Sequence, residues 1–144
     1  IIDLYDRKMI GWSLSNGMST DETTLAAWKM AIRNRSVQKG LIFHSDRGIQ
    51  YANKKFANTI ESYGVIRSMS RKGNCWDNAV AESFFKSLKT ELIYGNKLKT
   101  KQEMELEIFE YIEIWYNKKR RHGALNYKTI EEFNNQNSIY KNVA

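Results

Sequence analysis

Two short runs rich in Ile, Leu, Tyr and Trp, IIDLYD and KMIGWSLS, open the chain and meet at Asp6-Arg7, which predicts an antiparallel hairpin. A helix is predicted from the N-cap residue Thr20, with Asp21-Glu22 in its first turn and Leu25, Trp28, Met30, Ile32 and Arg33 along it, ending near Gly40. LIFHS reads as a buried strand, YANKKFANTIESYG as a short helix with Phe56 and Ile60 on one face and Gly64 as its stop, and VIRSMS as another strand. The polar stretch Ser70 to Trp76 has the composition of a mobile loop, and Asp77 is placed to cap a helix over about 78–92. A longer helix over about 101–119 carries Met104, Ile108, Tyr111, Ile112 and Trp115 as one apolar stripe. From Asn126 the pattern supports only a brief helical piece, TIEEFNN, before a frayed tail over 135–144. Strands alternating with helices, followed by a strongly helical C-terminal half, define an α/β domain.

At 144 residues the chain is one ordinary domain, able to bury roughly 70% of the surface its unfolded form exposes. Lys and Arg total 23 against 16 acidic residues, a formal charge of +7, which suits a polyanionic partner such as nucleic acid. The charge is clustered at Arg71-Lys72, at Lys86 and Lys89, from Lys97 through Lys101, and at Lys118-Lys119-Arg120-Arg121. The single Cys75 rules out an internal disulfide and a cysteine-built zinc site, which points to a reducing, cytoplasmic setting. No apolar run reaches membrane-spanning length. The chain opens on Ile-Ile inside a strand-like pattern, so it reads as a fragment with upstream sequence missing.

The residues that could carry chemistry lie in two of these segments. Asp46 follows the LIFHS strand, and ligands of α/β sheets gather beyond the carboxyl ends of strands. The alternative is a turn aspartate accepting a hydrogen bond from Gly48. His44, two residues earlier, shares the face and is either a supporting group or a structural histidine. Along the helix after Asp77, Asn78, Glu82, Lys86 and Lys89 share one face, whereas Val80, Phe84, Leu88 and Leu92 form an apolar one. Glu82 is thus either half of an exposed Glu–Lys pair or a metal ligand with lysines beside it for phosphate. Between Asp46 and Glu82 lie 35 residues. A rigid strand end and a neighbouring helix can offer two carboxylates to Mg²⁺, which favours oxygen ligands and keeps positions open for water and phosphate. The basic run at 118–121 is either a solvated helix end favoured by the helix dipole or a DNA-backbone contact.

HSDRGIQY, then RKGNCWDNAVAESFFKSLKTEL, then YIEIWYNKKRRHGALNYKTIEEF, together with IDLYDRKMIGW, resemble in order and spacing the integrase-type catalytic core of IS3-type insertion-sequence transposases, relatives of retroviral integrases. The resemblance covers about residues 1–134 and implies an RNase H-like mixed sheet flanked by helices. It also implies DNA cleavage and strand transfer with two Mg²⁺ or Mn²⁺ ions held by an Asp-Asp-Glu triad, with Asp46 the second acid and Glu82 the third. Lys86 and Lys89 match positions that hold the DNA end, and Arg71, Lys72, Lys119, Arg120 and Arg121 are further DNA-binding candidates; His44 and Asn78 are supporting ones. The family's first acid lies on a central strand preceding Ile1, so the fragment alone is expected to be inactive and to expose unpaired strand edges. Asp3 matches an aspartate outside the triad and Asp6 falls where serine is common, so neither is expected to replace it. Thr129 stands where the family usually has proline. Element ends and target DNA, a homo-oligomer assembled on DNA, nucleoid association and an upstream helix-turn-helix region complete the implied setting. An inactive DNA-binding remnant and a related RNase H-like nuclease stay open as alternatives.

Overall fold

A computed structural model describes residues 1–72, 75–95 and 99–141, with Cys75 and 138–141 described by backbone alone. Gly73 and Asn74 of the expected loop, Lys97 of a basic cluster and the last three residues of the expected tail lie outside the described residues. The elements are β1 (Ile42–Ser45), β2 (Ile66–Met69), α1 (Ala26–Asn34), α2 (Ile49–Ala52), α3 (Lys54–Glu61), α4 (Ala79–Leu88), α5 (Lys101–Glu110) and α6 (Ile130–Lys141). This is the α/β class expected from the sequence, with a small parallel sheet and a helical C-terminal half, and it is consistent with an RNase H-like fold. No helix among the described residues is long and apolar enough to cross a membrane.

The chain divides into two compact units, one formed by Ile1 with Ile10–Ser83 and the other by Ile2–Met9 with Phe84–Ala144. In the first, β1 and β2 pair in parallel with Ile42 opposite Ile66 and Ser45 opposite Met69. Leu25, Trp28, Phe56, Ile60 and Val65 form its core, with Ile32, Val37, Phe43 and Tyr51 packed against them. Edge-to-face contacts join Trp28 to Phe43 at 5.9 Å and Phe43 to Phe56 at 5.5 Å, the geometry the ring quadrupoles favour.

Several boundaries differ from the sequence expectation, each for a local reason. The expected helix to Gly40 ends at Asn34, because Arg35 turns extended (φ −152°, ψ 134°) and the following segment lays Val37 on the core. The expected helix over 51–64 is two helices broken at Asn53, whose extended backbone and side-chain acceptance from the Lys55 N–H at 2.8 Å start α3 afresh. The Arg67 guanidinium donates to the Tyr51 carbonyl at 2.9 Å at the end of α2. The stop at Gly64 holds, with φ +73°, a region costly for residues with a Cβ.

The opening hairpin is shorter than its two apolar runs. Ile2 and Met9 form one antiparallel bridge, flanked by Asp3 N–H to Lys8 O at 2.9 Å and Ile10 N–H to Ile1 O at 2.9 Å. Beyond it the chain presses on α1: the Asn34 side chain donates to Ile10 O at 2.9 Å, and a Cβ on Gly11 would lie 2.2 Å from the Ala27 carbonyl. Only glycine permits that approach, and Gly11 still donates to the Ile1 carbonyl at 3.3 Å.

In the second unit the helix begun by α5 continues over Tyr111–Lys119 with i→i+5 hydrogen bonding, seen in Arg120 N–H to Trp115 O at 2.7 Å. Such winding is rare over this length. It changes the buried stripe: spacing five sets Tyr116 and Asn117 inside below Tyr111 and Ile112, and Trp115, expected in the stripe, is 36% exposed. Asn117 then serves Met9 as a strand would, accepting from its N–H at 2.9 Å and donating to its carbonyl at 3.0 Å.

α5 starts with a full capping box between Thr100 and Glu103. α6 runs to Lys141, well past TIEEFNN. Its start is fixed by a reciprocal pair, Thr129 N–H to Glu132 Oε2 at 2.8 Å and Glu132 N–H to Thr129 Oγ1 at 3.2 Å. Proline at 129 could not donate the first of these, so threonine there has a defined structural task.

Candidate functional site

β1 delivers Asp46 at its carboxyl end. Ser45 at the last strand position is buried, and its hydroxyl donates to the Asp46 carbonyl at 2.9 Å, so the backbone entering Asp46 is fixed. Asp46 itself is exposed, with Oδ1 accepting the Gly48 N–H at 2.8 Å. The expected turn bond therefore exists, and it orients the carboxylate with Oδ2 as its second oxygen. A turn role and a ligand role are compatible here, since an anchored carboxylate binds a cation with less loss of freedom.

Beneath Asp46, His44 is half-buried and bridges two serines of the neighbouring strand segment. Its Nδ1 lies 2.9 Å from Ser68 Oγ and its Nε2 lies 3.1 Å from Ser70 Oγ. Both ring nitrogens thus have partners, and the ring is clamped across the two parallel strands. Arg47 adds a further tie, donating from Nε to the Ser70 carbonyl at 2.9 Å. Sequence reasoning singled out neither serine. The alternation of SMS in the second strand, which puts Ser68 and Ser70 on one face, was the signal available.

Arg71 and Asp77 form a fork that ties the exit of β2 to the turn leading into α4. Asp77 Oδ2 accepts from the Arg71 backbone N–H at 3.0 Å and from Nε at 3.1 Å, while Oδ1 accepts from a terminal guanidinium nitrogen at 3.0 Å. These hydrogen bonds from Arg71 hold the Asp77 carboxyl down to about 2 from its usual value of 3.8. Asp77, expected as a helix cap, spends both oxygens on Arg71. Arg71, expected at DNA, carries a neutralised charge, although its side chain is 77% exposed.

Asn78 is half-buried at the end of the short 3₁₀ turn Cys75–Asn78. Glu82, Lys86 and Lys89 are exposed in succession along α4 and its continuation Lys89–Ile93. None of the three makes an ion pair or side-chain hydrogen bond among the described residues, so the exposed Glu–Lys pair is not formed. The opposite face is apolar as expected, with Phe84 and Leu88 buried. Among the described residues no group of three or more His, Cys, Asp or Glu side chains is arranged to hold a metal ion. Asp46 and Glu82 nevertheless offer hard oxygen donors that suit Mg²⁺ or Mn²⁺, one of them pre-oriented.

The alternative acids are engaged in the fold. Asp6 is fully buried, accepting from the Lys8 N–H at 3.0 Å and from the Asn134 amide at 2.9 Å. Asp3 accepts from the Tyr5 N–H at 2.8 Å. The basic run divides by role. Lys118 and Lys119 are exposed. Arg120 grips Glu91 at 2.8 and 3.0 Å, reaches Ser87 Oγ at 3.2 Å and lies 4.8 Å over the Trp115 ring. Glu91 also accepts from the Tyr111 hydroxyl at 2.8 Å; burial, and after it this bond, raises the pKa of that phenol. Arg121 donates to the Tyr127 carbonyl at 2.9 Å. His122 is buried, and burial lowers its pKa. Lys72, outside these networks, is exposed.

Two family models with the description "Integrase core domain" match, one over residues 1–75 and the other over residues 82–137. A transposase for insertion sequence element IS904 of Lactococcus lactis subsp. lactis (strain IL1403) is 44% identical over 137 residues, covering 95% of this chain and 54% of that protein. Transposase InsF for insertion sequence IS3A of Escherichia coli (strain K12) is 40% identical over 137 residues, covering 95% of this chain and 47% of that protein. The InsF transposase for insertion sequence IS3 of Escherichia coli O111:H- is similar to the same degree. The chain spans about half the length of these curated relatives.

Proposed function

Since the chain belongs to the integrase core domain family, we propose that it supplies part of the catalytic core of an IS3-type transposase, cleaving DNA at element ends and joining the freed 3′-hydroxyl to target DNA. The observation that carries this is the pair of exposed acids in matching motifs: Asp46, anchored at a strand end by Gly48, and Glu82, exposed and free of ion pairs among the described residues. These two carboxylates would hold a divalent cation, with a third acid from elsewhere in the full-length protein. When bound, such cations activate the attacking oxygen and stabilise the leaving one.

The chain's own residues do the positioning. Asp46 is set by its turn, and the Arg71–Asp77 fork fixes the entry to the helix that carries Glu82. Lys86 and Lys89 present uncompensated positive charge one and two turns further on, suited to phosphate contacts that give affinity without base choice. Lys72, Lys118 and Lys119 extend that capacity. Arg120 and Arg121 would contribute to the field more than to direct contact, since both already serve intramolecular acceptors. Assembly on DNA as a homo-oligomer and end selection by an upstream helix-turn-helix region belong to the same proposal.

The test is strand transfer of an element-end oligonucleotide by the full-length protein with Mg²⁺ or Mn²⁺. Asp46→Asn and Glu82→Gln are expected to abolish cleavage and joining while leaving DNA binding within a few-fold of wild type. Retained joining by either variant overturns the assignment.

A further inference from the structure

The turn between the 3₁₀ segment Gly123–Leu125 and α6 sets two consecutive residues in left-handed backbone, Asn126 (φ 55°) and Tyr127 (φ 58°). Asparagine tolerates that region, whereas a bulky side chain there is an outlier that persists only where its surroundings hold it. Here they do. The Tyr127 N–H donates to the His122 carbonyl at 3.0 Å, the Asn126 N–H to that of Gly123 at 3.1 Å, and the Lys128 N–H to that of Leu125 at 3.2 Å. The His122 N–H donates back to the Lys128 carbonyl at 3.1 Å, and the Arg121 guanidinium closes the turn on the Tyr127 carbonyl at 2.9 Å. Burial is not what the strain achieves. Tyr127 is 74% exposed, and its hydroxyl has no hydrogen-bond partner among the described residues. Strained backbone, fixed by its neighbours and serving only to display a side chain, belongs at a ligand contact.

The charge around the turn identifies the ligand class. From Lys118 to Glu132 five cationic residues stand against two acids, and one of those acids, Glu132, is engaged by the Thr129 N–H and by Arg121. Lys118 and Lys119 are exposed and make no ion pair among the described residues. Lys119 stands two residues before Arg121, which holds the turn, and all of these residues belong to one compact unit. Tyrosine hydroxyls and lysine ammonium groups are both donors that proteins direct at the phosphates of duplex DNA. A neutral phenol on a fixed backbone adds a directional hydrogen bond to the attraction of the lysines. We propose that Tyr127 is a DNA-backbone contact, its hydroxyl donating to a phosphate of duplex DNA that Lys118 and Lys119 attract. The proposal rests on the transposase reading and adds a neutral contact to its charged ones.

Fluorescence anisotropy tests it, with the full-length protein on labelled duplex DNA, without divalent cation and over a series of salt concentrations. Tyr127→Phe keeps the ring and removes only the donor. Its affinity is expected to fall about three- to tenfold, equally on element-end and unrelated duplexes. The slope of log affinity on log salt should stay as in wild type, because a neutral group releases no counterion. Lys118→Ala and Lys119→Ala should each flatten that slope by about one. Tyr127→Gly should lower affinity at least as far as Tyr127→Phe, with a Tm within about 3 °C of wild type or above it, since glycine adopts left-handed backbone without strain. A tyrosine with a purely structural task would lose Tm and affinity together. Unaltered affinity in Tyr127→Phe overturns the proposal, and so does a larger fall in Tm for Tyr127→Gly. Affinity lost only in step with self-association in sedimentation also overturns it, assigning the phenol to a protein contact. Joining retained by Asp46→Asn would sink the metal-site reading alone, and the cation-free salt series would still decide the role of Tyr127.

Discussion

Replacing Asn117 with alanine removes its two hydrogen bonds to Met9 at a buried point, along with a longer one to Glu113 Oε2 at 3.4 Å. Met9 is 5% exposed and Asn117 6%. The bonds to Met9 are those from its N–H at 2.9 Å and to its carbonyl at 3.0 Å. Leaving a buried polar group without its partner costs about 1–3 kcal/mol, so two such losses, eased by local relaxation, amount to roughly 2–4 kcal/mol. Against a total stability of about 5–15 kcal/mol this is severe, and it corresponds to a Tm lower by roughly 5–15 °C for a chain of this size. Urea denaturation of the intact protein followed by circular dichroism measures it, with Lys118→Ala as the exposed neighbour expected to stay within about 0.5 kcal/mol. Asn117→Asp sharpens the test, because it keeps an acceptor for the Met9 N–H but turns a carboxylate oxygen toward the Met9 carbonyl. Its loss should match that of alanine at neutral pH and shrink in acid, where the carboxyl can donate. If Asn117→Ala unfolds at the same urea concentration as Lys118→Ala, the strand-like role of Asn117 is wrong.

Two further outcomes follow from local geometry. The Asp77 carboxyl is held down to about 2 by Arg71, so the fork contributes fully above the ordinary carboxylate value and is lost as pH falls through about 2. Carboxyl chemical shifts should give that midpoint in wild type and one near 3.8 in Arg71→Ala; equal midpoints refute the fork. Thr129→Ala removes the Thr129 Oγ1 acceptor at the start of α6 and should cost about 0.5–2 kcal/mol, read by denaturation; no loss would mean that the bond between Thr129 and Glu132 does not form in solution.

What the sequence conveyed was governed by how local each determinant is. LIFHS and VIRSMS yielded β1 and β2 because a short apolar run bounded by polar turns has few other uses. Asp46 could be placed for the same reason, since it directly follows such a run. Trp115 was assigned to the buried stripe on a period of 3.6, and the i→i+5 winding moved that place to Tyr116. Winding of that kind is set by packing and leaves little local trace. The end of α1 at Asn34 was equally hidden, because it depends on where Val37 finds the core. Of the candidate site, the resemblance singled out the acids and lysines, and Asp46, Glu82, Lys86 and Lys89 are all exposed. The clamp of His44 between Ser68 and Ser70, and the capture of Arg71 by Asp77, are pairings across turns or strands that a linear pattern does not specify. Neither capping threonine was expected from the sequence, although T-x-x-E, the signature of such a cap, stands at both Thr100 and Thr129.

The grouping of Ile2–Met9 with Phe84–Ala144 sets a schedule for a chain made on the ribosome. Asn117, which completes the hydrogen bonding of Met9, leaves the ribosome 108 residues after it. At about 5–20 residues per second that is a delay of roughly 5–20 s. Over that interval all of Ile10–Ser83 is synthesised and can collapse on its own core, while the opening hairpin waits with a buried-type edge in water. A nascent chain in that state has a defined vulnerability, which a chaperone that covers short apolar hairpins would relieve.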